Sequence, residues 1–152
     1  MADGVFNNVK GKVKYYTELP ATNDALIVVL IKASGLEADD TLNNYDDLAA
    51  LLAAANDEAD FTNYTRKTLA SITNTVDDTA NRFDADAADL TYTSAGGATN
   101  NSIGKAIVCY DPDTTTGTDS SIIPLTYHDC VFTTDGTDQV VSLAAAGFYR
   151  AQ

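Results

Sequence analysis

A chain of 152 residues, 45% of them apolar and with a formal net charge of -13, is long enough for one domain with its own core and too apolar for a disordered segment. A sequence pI near 4.1 sets up a field that repels phosphate backbones and argues against direct nucleic-acid binding. Cys109 and Cys130 are the only cysteines, too few for a disulfide framework, and abundant Thr and Tyr favour pleated surface.

The opening MADGVFNN carries neither the basic nor the apolar region of a secretory signal, so synthesis in a cytoplasm is expected. Phe6, Val9, Val13 and Tyr16 fall at spacings of three, four and three, which predicts a short helix weakened by Gly11. Lys10, Lys12 and Lys14 form the only basic concentration: either a solvated segment or a contact for an acidic partner. Residues 25–31 are seven consecutive apolar residues, bracketed by a polar turn after Pro20 and by Gly35. Such a run predicts a strand over 25–34 buried on both faces, and it is too short to cross a bilayer, so no membrane contact is expected.

Leu48, Leu51 and Leu52 share a helical face among alanines, with Asp46 and Asp47 at the positive end of the dipole. Asn43 or Asn44 is expected to cap the start and Asn56 the end. Residues 61–69 read as a partly exposed strand, 73–81 as a loop, and 82–93 as an alternating strand with a bulge near Ala88. The stretch 94–102, with two glycines and two asparagines, is the most flexible by composition. A second buried strand is expected over 103–110, a polar loop over 111–121 and a returning strand over 122–133. Pro124 requires that last strand to begin at an edge or to carry a bulge. Asp135-Gly136 is a turn signal, and residues 140–149 close the domain. The element order predicts a mainly β fold, an antiparallel sandwich or barrel-like domain with one or two short helices in the N-terminal third, all in one domain spanning 1–152.

Several constellations invite a chemical reading. Cys109, Asp111, His128 and Cys130 are the best cluster, because His128 and Cys130 share a strand face and Cys109 lies on the neighbouring strand. A thiol with an imidazole is the minimum for nucleophilic catalysis, and two thiols with an imidazole approach a zinc set. Neither has the expected spacing: there is no CxxC and no second histidine, so structural cysteines are favoured, with a Cys109–Cys130 disulfide left open for an oxidising setting. The loop 111–119 alternates oxygen-bearing residues as a calcium loop does, but Thr116 and Ile122 stand where an EF-hand needs Gly and Glu. The acidic pairs Asp39-Asp40, Asp46-Asp47, Asp77-Asp78 and Asp84/Asp86 are read as caps and solvated faces. No P-loop or dinucleotide fingerprint occurs. The expectation is therefore no enzyme, no metal and no cofactor.

Taken in order, ALIVVLIKASGLEAD, LAALLAAANDEA, FTNYTRKTL, AGGATNNSIGK, VCYD, IIPLTYHD and AAAGFYRA resemble the small structural proteins of tailed bacteriophages, over most of the chain from Asn7 to Ala151. The resemblance implies a virion component, first of all a head decoration or cement protein. Such a protein is made in the host cytoplasm and bound in many copies, as a homo-oligomer, to the major capsid protein or other virion proteins. It further implies a contact surface, for which Lys10, Lys12, Lys14, Tyr15, Tyr16, Tyr64 and Tyr149 are the candidates, with residues 1–14 as an N-terminal arm reaching a neighbour. The alternative within the same setting is a tail or adsorption component that binds a host receptor or glycan through loops 94–102 and 111–121.

Overall fold

A computed structural model describes residues 3–142 and 147–152. In chain order it contains β1 (Gly4–Val5), a 3-10 turn (Asn7–Val9), α1 (Val13–Thr17), β2 (Ala25–Lys32), α2 (Asp39–Leu42), α3 (Leu48–Ala53), β3 (Lys67–Thr68), β4 (Thr73–Asp77), β5 (Arg82–Asp86) and β6 (Leu90–Tyr92). These are followed by β7 (Ser102–Asp111), a 3-10 turn (Asp119–Ser121), β8 (Ile123–Thr133), β9 (Gln139–Val141) and β10 (Tyr149–Ala151). The fold is mainly β, and its strands form three antiparallel sheets, of order β1-β8-β7-β2-β3, β10-β5-β4 and β6-β9. A sandwich-like arrangement with three short helices agrees with the expected class.

β2 is the centre of the large sheet. Ala25 to Ile31 are all buried, Val28 to Ile31 completely. One edge pairs with β7 along its whole length; the other is covered by β3 and by the segment 57–59, whose Ala59 N–H donates to the Leu30 carbonyl (2.9 Å). With both edges and both faces covered, no position tolerates a polar side chain, which is why the run is unbroken. Phe83, Ala85 and Phe148 of the β10-β5-β4 region and Val9, Val13, Leu42, Leu48 and Leu51 of the helical segments belong to the same buried cluster.

Several expectations change. The helical period at the N-terminus buries the expected Phe6, Val9 and Val13, but Gly11 (φ +83°) divides it into a 3-10 turn and α1. Residues 3–14 do not form a free arm: β1 pairs with β8, the Phe6 N–H donates to the Leu125 carbonyl (3.0 Å), and Phe6 meets Tyr127 edge-on at 5.7 Å. A four-residue α2 precedes α3, and Asp47, not Asn43 or Asn44, caps α3 by accepting from the Ala50 N–H (2.8 Å). Asn56 is not the C-cap, which is Ala54; it is fully buried and donates to the Leu51 carbonyl (3.3 Å).

The strand expected over 61–69 shrinks to β3, because the chain turns at Asn63 (φ +71°) so that Phe61 and Tyr64 both reach an aromatic cluster with Tyr92. The loop expected over 73–81 is instead β4 and a turn closed by Asp77, which accepts from the N–H groups of Thr79 (3.1 Å) and Ala80 (2.9 Å). The single bulged strand over 82–93 is two strands in different sheets: β5 pairs with β4 and β10, β6 with β9. The bulge required by Pro124 is present as a register shift opposite Val108/Cys109. A second shift, opposite Ile103/Lys105, falls where a Cβ on Gly104 would lie 2.8 Å from Leu36 Cδ2 and 3.1 Å from Ala33 Cα, leaving no room for a side chain. Of the closing segment 140–149, residues 143–146 lie outside the described residues.

Candidate functional site

The distribution of cations singles out one surface. The chain has nine Lys and Arg against 22 Asp and Glu, and most of the nine are engaged within the fold. Lys32 pairs with Asp60 (2.9 Å), Arg66 with Glu58 (2.7 Å) and Asp119 (2.5 Å), and Lys105 with Asp39 (2.9 Å) and Asp129 (2.5 Å). Arg82 and Arg150 both hold Asp84, at 2.9 and 2.6 Å, and Lys14 pairs with Glu18. Lys67 lies over the Tyr92 ring at 5.1 Å. Among the described residues, that leaves Lys10 and Lys12 as cations with neither a carboxylate nor a ring beside them.

Local chain geometry presents these two lysines outward. The left-handed Gly11 makes the turn between the 3-10 segment and α1, so Val9 and Val13 point into the core while Lys10 and Lys12 face solvent. Lys10 Nζ donates to Asn7 Oδ1 (2.7 Å), and Asn7 in turn donates to Asn43 Oδ1 (3.0 Å) and Asn44 Oδ1 (2.7 Å), which ties the turn to the end of α2. Beside them Tyr15 is 58% exposed, one of four large apolar side chains so exposed among the described residues, and its ring meets Tyr16 at 5.3 Å. The result is a basic patch with an aromatic knob on an otherwise acidic molecule, suited to an acidic partner surface.

The other interface candidates do not join it. Tyr16 is half-buried against Tyr110 at 4.8 Å. Tyr64 is engaged internally: its hydroxyl donates to Glu58 Oε1 (2.9 Å) and accepts from the Leu30 N–H (3.1 Å), and burial, then Glu58, pushes its pKa up. Tyr149 is half-buried in β10 against Phe83 at 6.2 Å.

Nor does the fold assemble the cysteine–histidine cluster. Cys109 is opposite Pro124, whereas Cys130 lies in the bulge opposite Gly104. Five residues of strand separate those levels, roughly 17 Å, far beyond disulfide reach, and both cysteines are free. Burial pushes the Cys109 thiol up and the Cys130 thiol to about 11, the opposite of activation. His128 sits between Asp3 (Nδ1–Oδ1 3.5 Å) and the Thr126 hydroxyl (Nε2–Oγ1 2.9 Å), and burial lowers its pKa.

In the loop 111–119, Asp113 spends its carboxylate on Thr115 and Thr116. Oδ1 accepts from the Thr115 N–H (2.9 Å) and hydroxyl (2.5 Å), and Oδ2 from the Thr116 hydroxyl (2.5 Å). These bonds hold its pKa at about 2. Asp111 accepts from the Asp113 N–H (3.1 Å), and Asp119 is committed to Arg66. Among the described residues no group of three His, Cys, Asp or Glu is arranged to hold a metal ion.

The loop 94–102 is pinned despite its composition. Gly96 N–H donates to the Thr62 carbonyl (2.9 Å), Ala95 N–H to the Thr137 carbonyl (3.0 Å), and Gly136 N–H to the Ala95 carbonyl (2.8 Å). Among the described residues, no helix is long and apolar enough to cross a membrane. The chain matches no protein-family model, no curated protein and no solved structure.

What the sequence reading missed is an edge. β4, read there as loop, ends the β10-β5-β4 sheet with Thr73 to Val76 all exposed. Its signal was the β-forming run Thr-Asn-Thr-Val followed by the Asp-Asp turn.

Proposed function

We propose that this protein is a non-enzymatic structural component of a tailed-phage virion, a head decoration protein that binds the outside of the shell in many copies and associates with itself. The sequence resemblance suggests the setting. The structural observation that supports a binding role is the exposed Lys10, Lys12 and Tyr15 patch, left over after the remaining cations are used inside the fold. Self-repulsion at a net charge of -13 keeps free subunits soluble and away from nucleic acid. A local basic patch then steers the subunit onto an acidic site on the major capsid protein, with Tyr15 supplying desolvated area.

Cosedimentation of the purified protein with phage heads stripped of it, with copy number read from the bound band, tests this. Saturation at a copy number comparable to that of the shell protein is the expected result. The double variant Lys10→Glu/Lys12→Glu is expected to weaken binding at least about tenfold, ~1.4 kcal/mol. Absence of shell binding overturns the reading and turns attention to a tail component that contacts a host receptor.

A further inference from the structure

We infer that β4 is a self-association edge: two copies pair their Thr73–Asp77 strands antiparallel about a two-fold axis at Thr75, joining two β10-β5-β4 sheets into one sheet of six strands. This rests on the self-association in the reading above and is independent of the shell. Among the outermost strands of the three sheets, β4 is the longest: β1 and β3 have two residues each, and β6, β9 and β10 have three. Its ladder with β5 runs in unbroken register from Thr73–Asp86 to Asp77–Arg82. On its other side, among the described residues, no strand pairs with it and no backbone hydrogen bond is made outside that ladder.

Proteins ordinarily blunt such edges with Lys, Pro, a bulge or a covering segment. β4 has no Lys, Pro or bulge, and it displays Val76 at 63% exposure.

Charge decides the occupant. On a chain of net charge -13 most of the surface repels a second copy, whereas residues 68–76 carry no ionisable side chain and present neutral surface. The one acid in the strand, Asp77, is 3.6 Å from its own Arg82. Pairing about Thr75 sets Thr75 opposite Thr75, Asn74 opposite Val76, and Thr73 opposite Asp77, so no two like charges face each other. An isologous two-fold contact of this kind closes as a dimer instead of propagating into a filament. A basic partner would instead favour the acidic faces and gain nothing from an uncharged edge.

The test is light-scattering mass of the full chain from about 1 to 100 μM, roughly the range in which a modest interface populates a dimer. The expected mass is twice the 16.1 kDa of one chain. Thr75→Asp, which sets two carboxylates face to face at an exposed position, is expected to shift the midpoint at least tenfold towards monomer with unchanged circular dichroism. Thr75→Cys in a Cys130→Ser background is expected to form a disulfide-linked dimer on mild oxidation, since facing residues lie about 4.5–5.5 Å apart; Asp78→Cys in the same background is the control that forms no disulfide cross-link.

A wild-type chain that is monomeric throughout overturns the inference. So does a dimer indifferent to Thr75→Asp and unlinked in Thr75→Cys, although self-association then survives through another surface. Shell binding is read separately by cosedimentation, so its failure leaves the edge assignment standing.

Discussion

Lys105 and Asp129 face each other across the β7–β8 ladder with Nζ 2.5 Å from Oδ1. The lysine is 4% exposed, and the same Nζ lies 2.9 Å from Asp39 at the start of α2 and 5.1 Å over the Tyr127 ring. Burial pulls its pKa down, but Asp129 and Asp39 outweigh this and the net direction is upward. One buried cation thus fastens α2 to the face of the large sheet. Lys105→Met removes the charge and leaves two carboxylates facing each other, each one-third exposed. We expect a loss of about 2–3 kcal/mol in urea unfolding, with Asp129→Asn milder because Asp39 still pairs the ammonium.

Arg66 is used as a fork. Nε and Nη2 donate to the two oxygens of Glu58 (2.8 and 2.7 Å), and Nη1 and Nη2 to Asp119 (2.5 and 3.0 Å). A lysine keeps the charge but not the planar donor set. Arg66→Lys is therefore expected to cost about 1–2 kcal/mol and to speed proteolytic cleavage in 111–118, whose exit Asp119 anchors; a cleavage rate equal to that of the wild type would refute the anchoring.

Asn56 and Glu37 form a closed pair: Asn56 Oδ1 accepts from the Glu37 N–H (3.0 Å), and its Nδ2 donates to Glu37 Oε2 (2.7 Å). Asn56→Asp is nearly isosteric but replaces the donor with a second carboxylate in a fully buried position. The expected cost is about 3 kcal/mol at neutral pH. Tm and urea unfolding at that pH check it.

Two sets of groups shape stability against pH. Asp84 and Asp119 have lowered pKa values, through Arg150 and Arg66 respectively, and Asp113 is held at about 2 by its threonine bonds. The unfolded chain binds their protons first, so the stability they contribute is present above about pH 4 and is lost as pH falls through the folded values. His128 is lowered by burial, opposed by Asp3 and Asp129 and reinforced by Lys105. The unfolded histidine therefore protonates first, and stability also declines as pH drops below about 6.5. Tm should be level from pH 8 to 7, decline gently below 6.5 and steeply below 4; His128→Gln should remove the gentle segment alone.

The strongest local signals carried through into the structure. The apolar run became the buried β2, the Pro124 bulge formed, and the phase of Phe6, Val9 and Val13 pointed to the core even though Gly11 broke the helix. The failures share a cause. Residues 61–66 have strand-forming composition, but a turn at Asn63 brings Tyr64 onto Tyr92, 28 positions along the chain, with ring centroids 6.1 Å apart. Such a contact gives no local period. Cys109, His128 and Cys130 lie on adjacent strands, but the hairpin sets Cys109 opposite Pro124 and Cys130 opposite Gly104, so the thiols end far apart.

For this protein, then, composition and periodicity by themselves determined the β class, the central strand, the acidic character and the one cluster of lysines, because each follows from side-chain chemistry summed over neighbours in sequence. The tertiary structure alone decided that Lys14 has a carboxylate partner while Lys10 and Lys12 have none among the described residues, that the Tyr64 hydroxyl is engaged in internal hydrogen bonds while Tyr15 is exposed, and that Thr73–Asp77 is an open strand edge. The physical reason is that pairing, exposure and edge status depend on which distant segment arrives alongside, and strand register sets that across the whole sheet.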